Sequence, residues 1–204
     1  MAPQAYEEVV AKNQYFDRNF NTNAAKILPG EYFVTRSDML LVTVLGSCVA
    51  ACIRDVKSGI GGMNHFLLPD CAAGDQGGPL STSARYGVYA MEVLINDVLK
   101  LGARRANLEA KVFGGGNVLS SIISANVGPR NARFVLQFLA TEKIRVAGQD
   151  LMDVYPRKVY FFPKSGKVLI KKLRNIHNDT IFTREQDYSK RLVKDSVAGE
   201  VELF

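Results

Sequence analysis

Histidine and cysteine are both scarce: the 204 residues hold two histidines, His65 and His177, and three cysteines, Cys48, Cys52 and Cys71. An odd cysteine count without framework spacing argues against a disulfide-built fold. There is no CxxC pair, and a structural zinc needs four ligands at compact spacing. No metal and no organic cofactor is therefore expected, and Cys52 reads as core. No apolar run approaches the ~20 residues of a membrane helix, so membrane insertion is not expected. Residues 1–20 lack the continuous apolar core of a secretory signal. These absences together predict a cytoplasmic protein with reduced thiols. Repeats and low-complexity tracts are missing too.

Dense basic runs are also few. The net charge is +6 and the pI about 9.2, yet the only clusters are Arg104-Arg105 and Lys171-Lys172-Leu173-Arg174. Aromatics do not interleave with them as single-strand binding requires. Nucleic acid is thus not an expected partner, and an acidic protein surface is. Gly114-Gly115-Gly116-Asn117 precedes a short helical pattern carrying Val118, Leu119, Ile122 and Ile123. A glycine loop at a helix start can cradle an anion, but the Walker spacing and its lysine are absent. It reads as a tight strand-to-helix turn that could still line a site.

What is present concentrates between Leu41 and Pro69, LVTVLGSCVAACIRDVKSGIGGMNHFLLP. The pattern is strand, corner, strand, turn, strand. Gly46-Ser47 interrupts one apolar run, Arg54 to Gly59 ends the next, and Ile60 to Leu68 begins a third. Centring the turn between Val56 and Lys57 sets Cys48 directly opposite His65, at a Cβ separation of about 4.5–5.5 Å. A one-residue slip would put them on different faces. Thiolate is the nucleophilic form of cysteine, and a neighbouring imidazole favours it by forming an ion pair. Taken alone, the two residues suit an inert buried pair as well as an activated nucleophile, because cysteine is among the most buried residue types. Acyl transfer to water or to an amine would use the same pair. Asn64 should point away from Cys48 by strand alternation.

TVLGSCVAAC followed by IGGMNHFLLP resembles the signature of the bacterial chemoreceptor glutamine deamidases, the CheD family. Further matches are Arg85-Tyr86-Gly87, Ala110 to Asn117 (AKVFGGGN) and Lys158 to Pro163 (KVYFFP), so the resemblance spans roughly Ile27 to Leu173. It implies Cys48 as nucleophile, His65 as base and Thr43 as the third triad member, with no cofactor. It implies the cytoplasmic coiled coil of chemoreceptors as substrate, glutamine being hydrolysed to glutamate. The backbone N–H groups of Gly46, Ser47 and Cys48 would hold the oxyanion. Family members also bind a CheC-type phosphatase, so the alternative is a non-catalytic adaptor.

The remaining chain supplies a frame. Residues 1–26 read as a peripheral extension with a short helix from Tyr6 to Phe16. Residues 27–174 read as the deamidase domain, and 175–204 as a polar appendage with a capping-box-like Thr183-Arg184-Glu185-Gln186. Strands are expected over Glu31–Arg36, Met39–Leu45, Asn107–Val112 (one face wet), Val159–Phe162 and Lys167–Leu173, with a turn and a short strand in Gly148–Tyr155. Helices are expected from Ser83 to Leu101 and from Pro129 onward. The fold class is mixed α/β (α+β): layered antiparallel or mixed sheets flanked by about three helices. The resemblance implies the arrangement of bacterial toxin-type cysteine deamidases.

Overall fold

The computed structural model describes residues 9–69, 82–117, 127–173 and 179–197. Cys71, His177 and the helical pattern at Val118–Ile123 lie outside them, as does the side chain of Ser83. The strands are β1 (Val9–Val10), β2 (Asn13–Asp17), β3 (Thr22–Lys26), β4 (Glu31–Thr35), β5 (Leu40–Leu45), β6 (Val49–Asp55), β7 (Gly61–His65), β8 (Leu108–Gly114), β9 (Arg145–Leu151), β10 (Arg157–Phe162) and β11 (Lys167–Lys172). The helices are α1 (Thr82–Lys100), α2 (Val127–Thr141) and α3 (Asp179–Val197).

Two mixed sheets result. One runs β1-β4-β7-β6-β8-β9 and the other β11-β10-β5-β3-β2. The mixed α/β expectation holds at this level. Helices α1 and α2 pack on the first sheet, and β5 of the second sheet meets β6 and β7. Alternation along β5 explains that layering. Leu41 and Leu45 enter the main core, while Leu40 and Val42 join Ala24, Phe20, Tyr160 and Phe162 on the other face. The apolar stripe of α1 follows helical spacing: Tyr86, Ala90, Met91, Leu94, Ile95 and Val98 are buried.

Several expectations are corrected. Val9–Val10 and Asn13–Asp17 are strands, not a helix: β2 and β3 close a hairpin whose turn is fixed by Asp17 Oδ1, which accepts the N–H groups of Asn19 and Phe20. Residues read as peripheral thus form the edge of the second sheet, with Ala24 and Ala25 fully buried. Strand β8 has no wet face. It lies between β6 and β9, and Glu109 is buried in ion pairs with Arg54 at 2.9 Å and Arg145 at 2.6 Å. Thr183 does not cap a helix, because α3 already begins at Asp179.

The β6–β7 register also differs. Cys52 pairs with Met63, Ile53 with Gly62 and Arg54 with Gly61, and Val49 bridges Phe66. Ala50, not Cys48, therefore lies across from His65. The turn is longer than expected because Asp55 organises it: the Asp55 N–H donates to Ile60 O, and Oδ1 accepts from Lys57 and Ser58. The displacement is two residues, one full side-chain period, so Cys48 stays on the His65 face as its diagonal neighbour.

Candidate active site

The chain leaves the second sheet at Leu45 and enters the first at Val49, so Gly46-Ser47-Cys48 is the corner between layers. Its carbonyls are all engaged. Gly46 O accepts from Gly116 N at 2.8 Å, Cys48 O from Gly115 N at 2.7 Å, and Ser47 O from Asn131 Nδ2 at 2.9 Å. The Asn131 amide is itself held, its Oδ1 accepting Leu68 N. With the three carbonyls tied back, the N–H groups of Gly46, Ser47 and Cys48 all face the same side of the corner, toward one carboxylate-sized site. Such a nest of backbone donors is a ready anion site. The glycine run Gly114–Gly116 therefore braces the corner, a role its spacing alone does not reveal.

His65 ends β7 and, by alternation, faces the second sheet while Asn64 faces α1, bonding Ala51 N and Ala90 O. Asn64 does point away from the site. Thr43 reaches across from β5. Its hydroxyl donates to Ile27 O at 2.8 Å and lies 2.8 Å from His65 Nδ1. A hydroxyl has one hydrogen, and Ile27 takes it, so Thr43 Oγ1 must accept from Nδ1–H. That fixes the tautomer: Nε2 carries the lone pair. Nε2 is buried and has no hydrogen-bond partner among the described residues. It is an available base.

One residue lies outside the expected set. Glu185 of α3 puts its carboxylate into the nest. Oε1 accepts from Gly46 N at 2.9 Å and Cys48 N at 3.2 Å; Oε2 accepts from Ser47 N at 3.0 Å and Ser47 Oγ at 2.6 Å. Ligand-type atoms of Cys48, His65 and Glu185 lie within 4.8 Å of one another. Cysteine, histidine and glutamate could in principle hold zinc. Here the four donors occupy all of the roughly four lone-pair directions of the carboxylate, so Glu185 has none left for a metal. The donor set does not fit one. No sequence signal marks Glu185, because an isolated glutamate in a charged helix looks like any solvated residue.

The electrostatics differ from a primed cysteine–histidine pair. Burial, and after it the adjacent Glu185 charge, push the Cys48 thiol well above its ordinary pKa. Burial is also the main cause that holds His65 down to about 4, against the opposing pull of Glu185. Both groups are neutral near pH 7, and the expected ion pair is not formed. Burial is the main reason on both sides, and the carboxylate beside the sulfur adds to it by disfavouring a second negative charge there.

The sequence model of a family described as CheD chemotactic sensory transduction matches residues 67–172, which lie downstream of Thr43, Cys48 and His65. Similar curated proteins are full-length matches. One from Methylobacillus flagellatus is 64% identical over 198 residues, covering 97% of this chain and 98% of its own. One from Thiobacillus denitrificans is 66% identical over 200 residues, covering 98% of each. Both bear the name probable chemoreceptor glutamine deamidase CheD. A solved structure, the Bacillus licheniformis hypothetical protein YfiH, superposes with a TM-score of 0.38 at 12% identity, over 60% of this chain and 51% of that one, and carries no argument. A match at two-thirds identity from end to end, around a corner built of glycine, serine and cysteine, decides the matter: the chain belongs to the CheD family.

Proposed function

We propose that the protein hydrolyses glutamine side chains of chemoreceptor cytoplasmic domains to glutamate, through Cys48, His65 and Thr43. The observation that carries this reading is the Thr43–His65 hydrogen bond. It leaves Nε2 as an unpartnered base in the cluster with Cys48. The relatives' names supply the substrate class.

The path follows from the residues. Nε2 takes the Cys48 proton, and sulfur attacks the carboxamide carbon. The oxygen of the tetrahedral adduct sits in the nest of Gly46, Ser47 and Cys48 N–H groups, where each donor contributes about 2.7–4 kcal/mol. Imidazolium protonates the departing ammonia, and neutral His65 then activates water to cleave the thioester. Thr43 keeps the imidazole in the reactive tautomer throughout, as the third member of a triad does. The chain would work in the cytoplasm, in the layered arrangement of toxin-type cysteine deamidases. None of its described helices is long and apolar enough to cross a membrane.

Mass spectrometry of receptor cytoplasmic fragments is the direct test. A gain of about one dalton per modified glutamine is expected with wild type and none with Cys48→Ala. Unchanged conversion in that variant would overturn the mechanism and leave an adaptor, with a CheC-type phosphatase as the partner to examine.

A further inference from the structure

Glutamate is the product of glutamine hydrolysis, and the structure already holds a glutamate side chain, presented on a helix, in the nest where that product would be left. Glu185 satisfies the Gly46, Ser47 and Cys48 N–H groups together. It also seals the site: Cys48 is 0%, His65 1% and Glu185 5% exposed. No external side chain can reach the sulfur while α3 is seated.

The seat is shaped for a helix. Between Thr183 and Leu192, α3 buries Glu185, Tyr188 and Leu192, a single stripe at i, i+3 and i+7. Tyr188 bonds the Tyr86 hydroxyl and lies over Gly30, where a side chain would collide with its ring. A Cβ at Gly46 would sit 2.9 Å from Glu185 Oε1, so only glycine lets the carboxylate come this close. Asp187, Lys190 and Arg191 stand exposed. A stripe of three buried side chains among the described ones of a terminal helix is the kind of attachment that opens well below the global unfolding free energy. Beside it lies a small cleft lined by Ile27, Val44, His65 and Arg184.

We infer that the seat of α3 is the docking site for the substrate helix, which α3 occupies with Glu185 as a built-in product analogue. This rests on the deamidase reading above. A substrate helix would present its glutamine at the Glu185 position and fill the Tyr188 and Leu192 positions with apolar residues three and seven places further on. Substrate and α3 compete, and α3 must lift before turnover. A segment closed nine-tenths of the time weakens apparent substrate affinity about tenfold.

The test uses the full chain. In Glu185→Ala, iodoacetamide should alkylate Cys48 about tenfold faster than in wild type, and KM for a helical receptor peptide should fall with little change in kcat. Wild-type alkylation and KM in that variant overturn the inference while leaving the deamidase intact. A fall in kcat at unchanged KM also overturns it, because Glu185 would then belong to the catalytic machinery. The near-isosteric Glu185→Gln covers the case in which the alanine variant misfolds. The carboxamide it introduces should itself become a substrate: the Sγ–Cδ bond forms as Cδ–N breaks, ammonia leaves with the imidazolium proton, and water returns glutamate. A mass gain of about one dalton at position 185, absent when Cys48→Ala is added, supports the inference. A carboxamide left intact at position 185 by a variant that still converts receptor peptide overturns it. Faster alkylation in Glu185→Ala with no conversion by any variant refutes the deamidase reading instead, leaving α3 as a cover.

Discussion

Strand β6 has a buried carboxylate at each end, and the two are satisfied alike but supplied differently. At its C-terminal end Asp55 accepts from Lys57 N, Ser58 N, Arg104 N and Asn107 Nδ2. At its N-terminal end Glu185 accepts four donors from the corner. Asp55 belongs to the strand it terminates and cannot leave without unmaking the turn. Glu185 arrives from 137 to 139 positions away, on a helix of its own. The first carboxylate closes a structure. The second fills a site, and its donors can exchange it for a ligand or water.

The contrast is sharpest in activity. Cys48→Ala and His65→Ala should each lower conversion by about 10⁶-fold, and the double variant little further, because the pair acts as one unit. Turnover assays on receptor fragments check this, with circular dichroism to confirm the fold. At the other end of β6, Asp55→Ala should leave chemistry to the folded fraction but cost about 3 kcal/mol, since three backbone N–H groups and the Asn107 amide lose their acceptor. Glu185→Ala should stay within about 1 kcal/mol of wild type, because lifting α3 lets water reach the corner donors. Urea unfolding compares the two, and equal losses would erase the distinction.

Thr43→Val should slow turnover about tenfold to a hundredfold, less than the ~10²–10⁴ of a complete acid–base contribution. Nitrogen NMR of His65 should then show a mixture of tautomers in place of Nδ1–H. The smallest effects lie in pH. His65 is held down to about 4 chiefly by burial, so the unfolded chain binds the extra proton between about 6.5 and 4. Stability should therefore fall as pH drops through that window and level off below it. Burial alone would raise the Asp55 carboxyl, but the donors from Arg104, Ser58, Lys57 and Asn107 outweigh it and pull it down to about 2. Its contribution should be complete above about pH 4 and vanish as pH falls toward 2. Unfolding midpoints of His65→Gln and Asp55→Asn across pH should flatten the upper and lower windows respectively.

Much of this is legible in the chain. Alternation in LVTVL, CVAACI and GGMNH places Thr43, Cys48 and His65 on strands or their ends, and Asn64 on the opposite side. The exact register is not legible, because hydrophobic alternation does not report the length of the turn, which Asp55 sets by accepting from Lys57 and Ser58. Asp55 is itself held by Arg104 and Asn107, about fifty positions away. The difference is one full side-chain period, so it alters which residue lies opposite His65 without altering which face it shares. The N-terminal hairpin escapes a sequence reading because its buried positions are mostly small residues, which carry little hydropathic signal. The wet face expected of β8 fails for a related reason: charged Glu109 is buried only because Arg54 and Arg145 come to it.

Local pattern and residue type are enough to specify the chemistry available, a thiol after a Gly-Ser corner and an imidazole two strands on. Tertiary structure alone decided the state of that chemistry. Only packing could bring Thr43 from one sheet to fix the His65 tautomer, tie back the corner carbonyls through Gly115, Gly116 and Asn131, and seat Glu185 on the donors thus exposed. The physical reason is range: periodicity reports what a residue does within its own element, whereas a hydrogen bond between distant segments leaves no trace in the spacing of either.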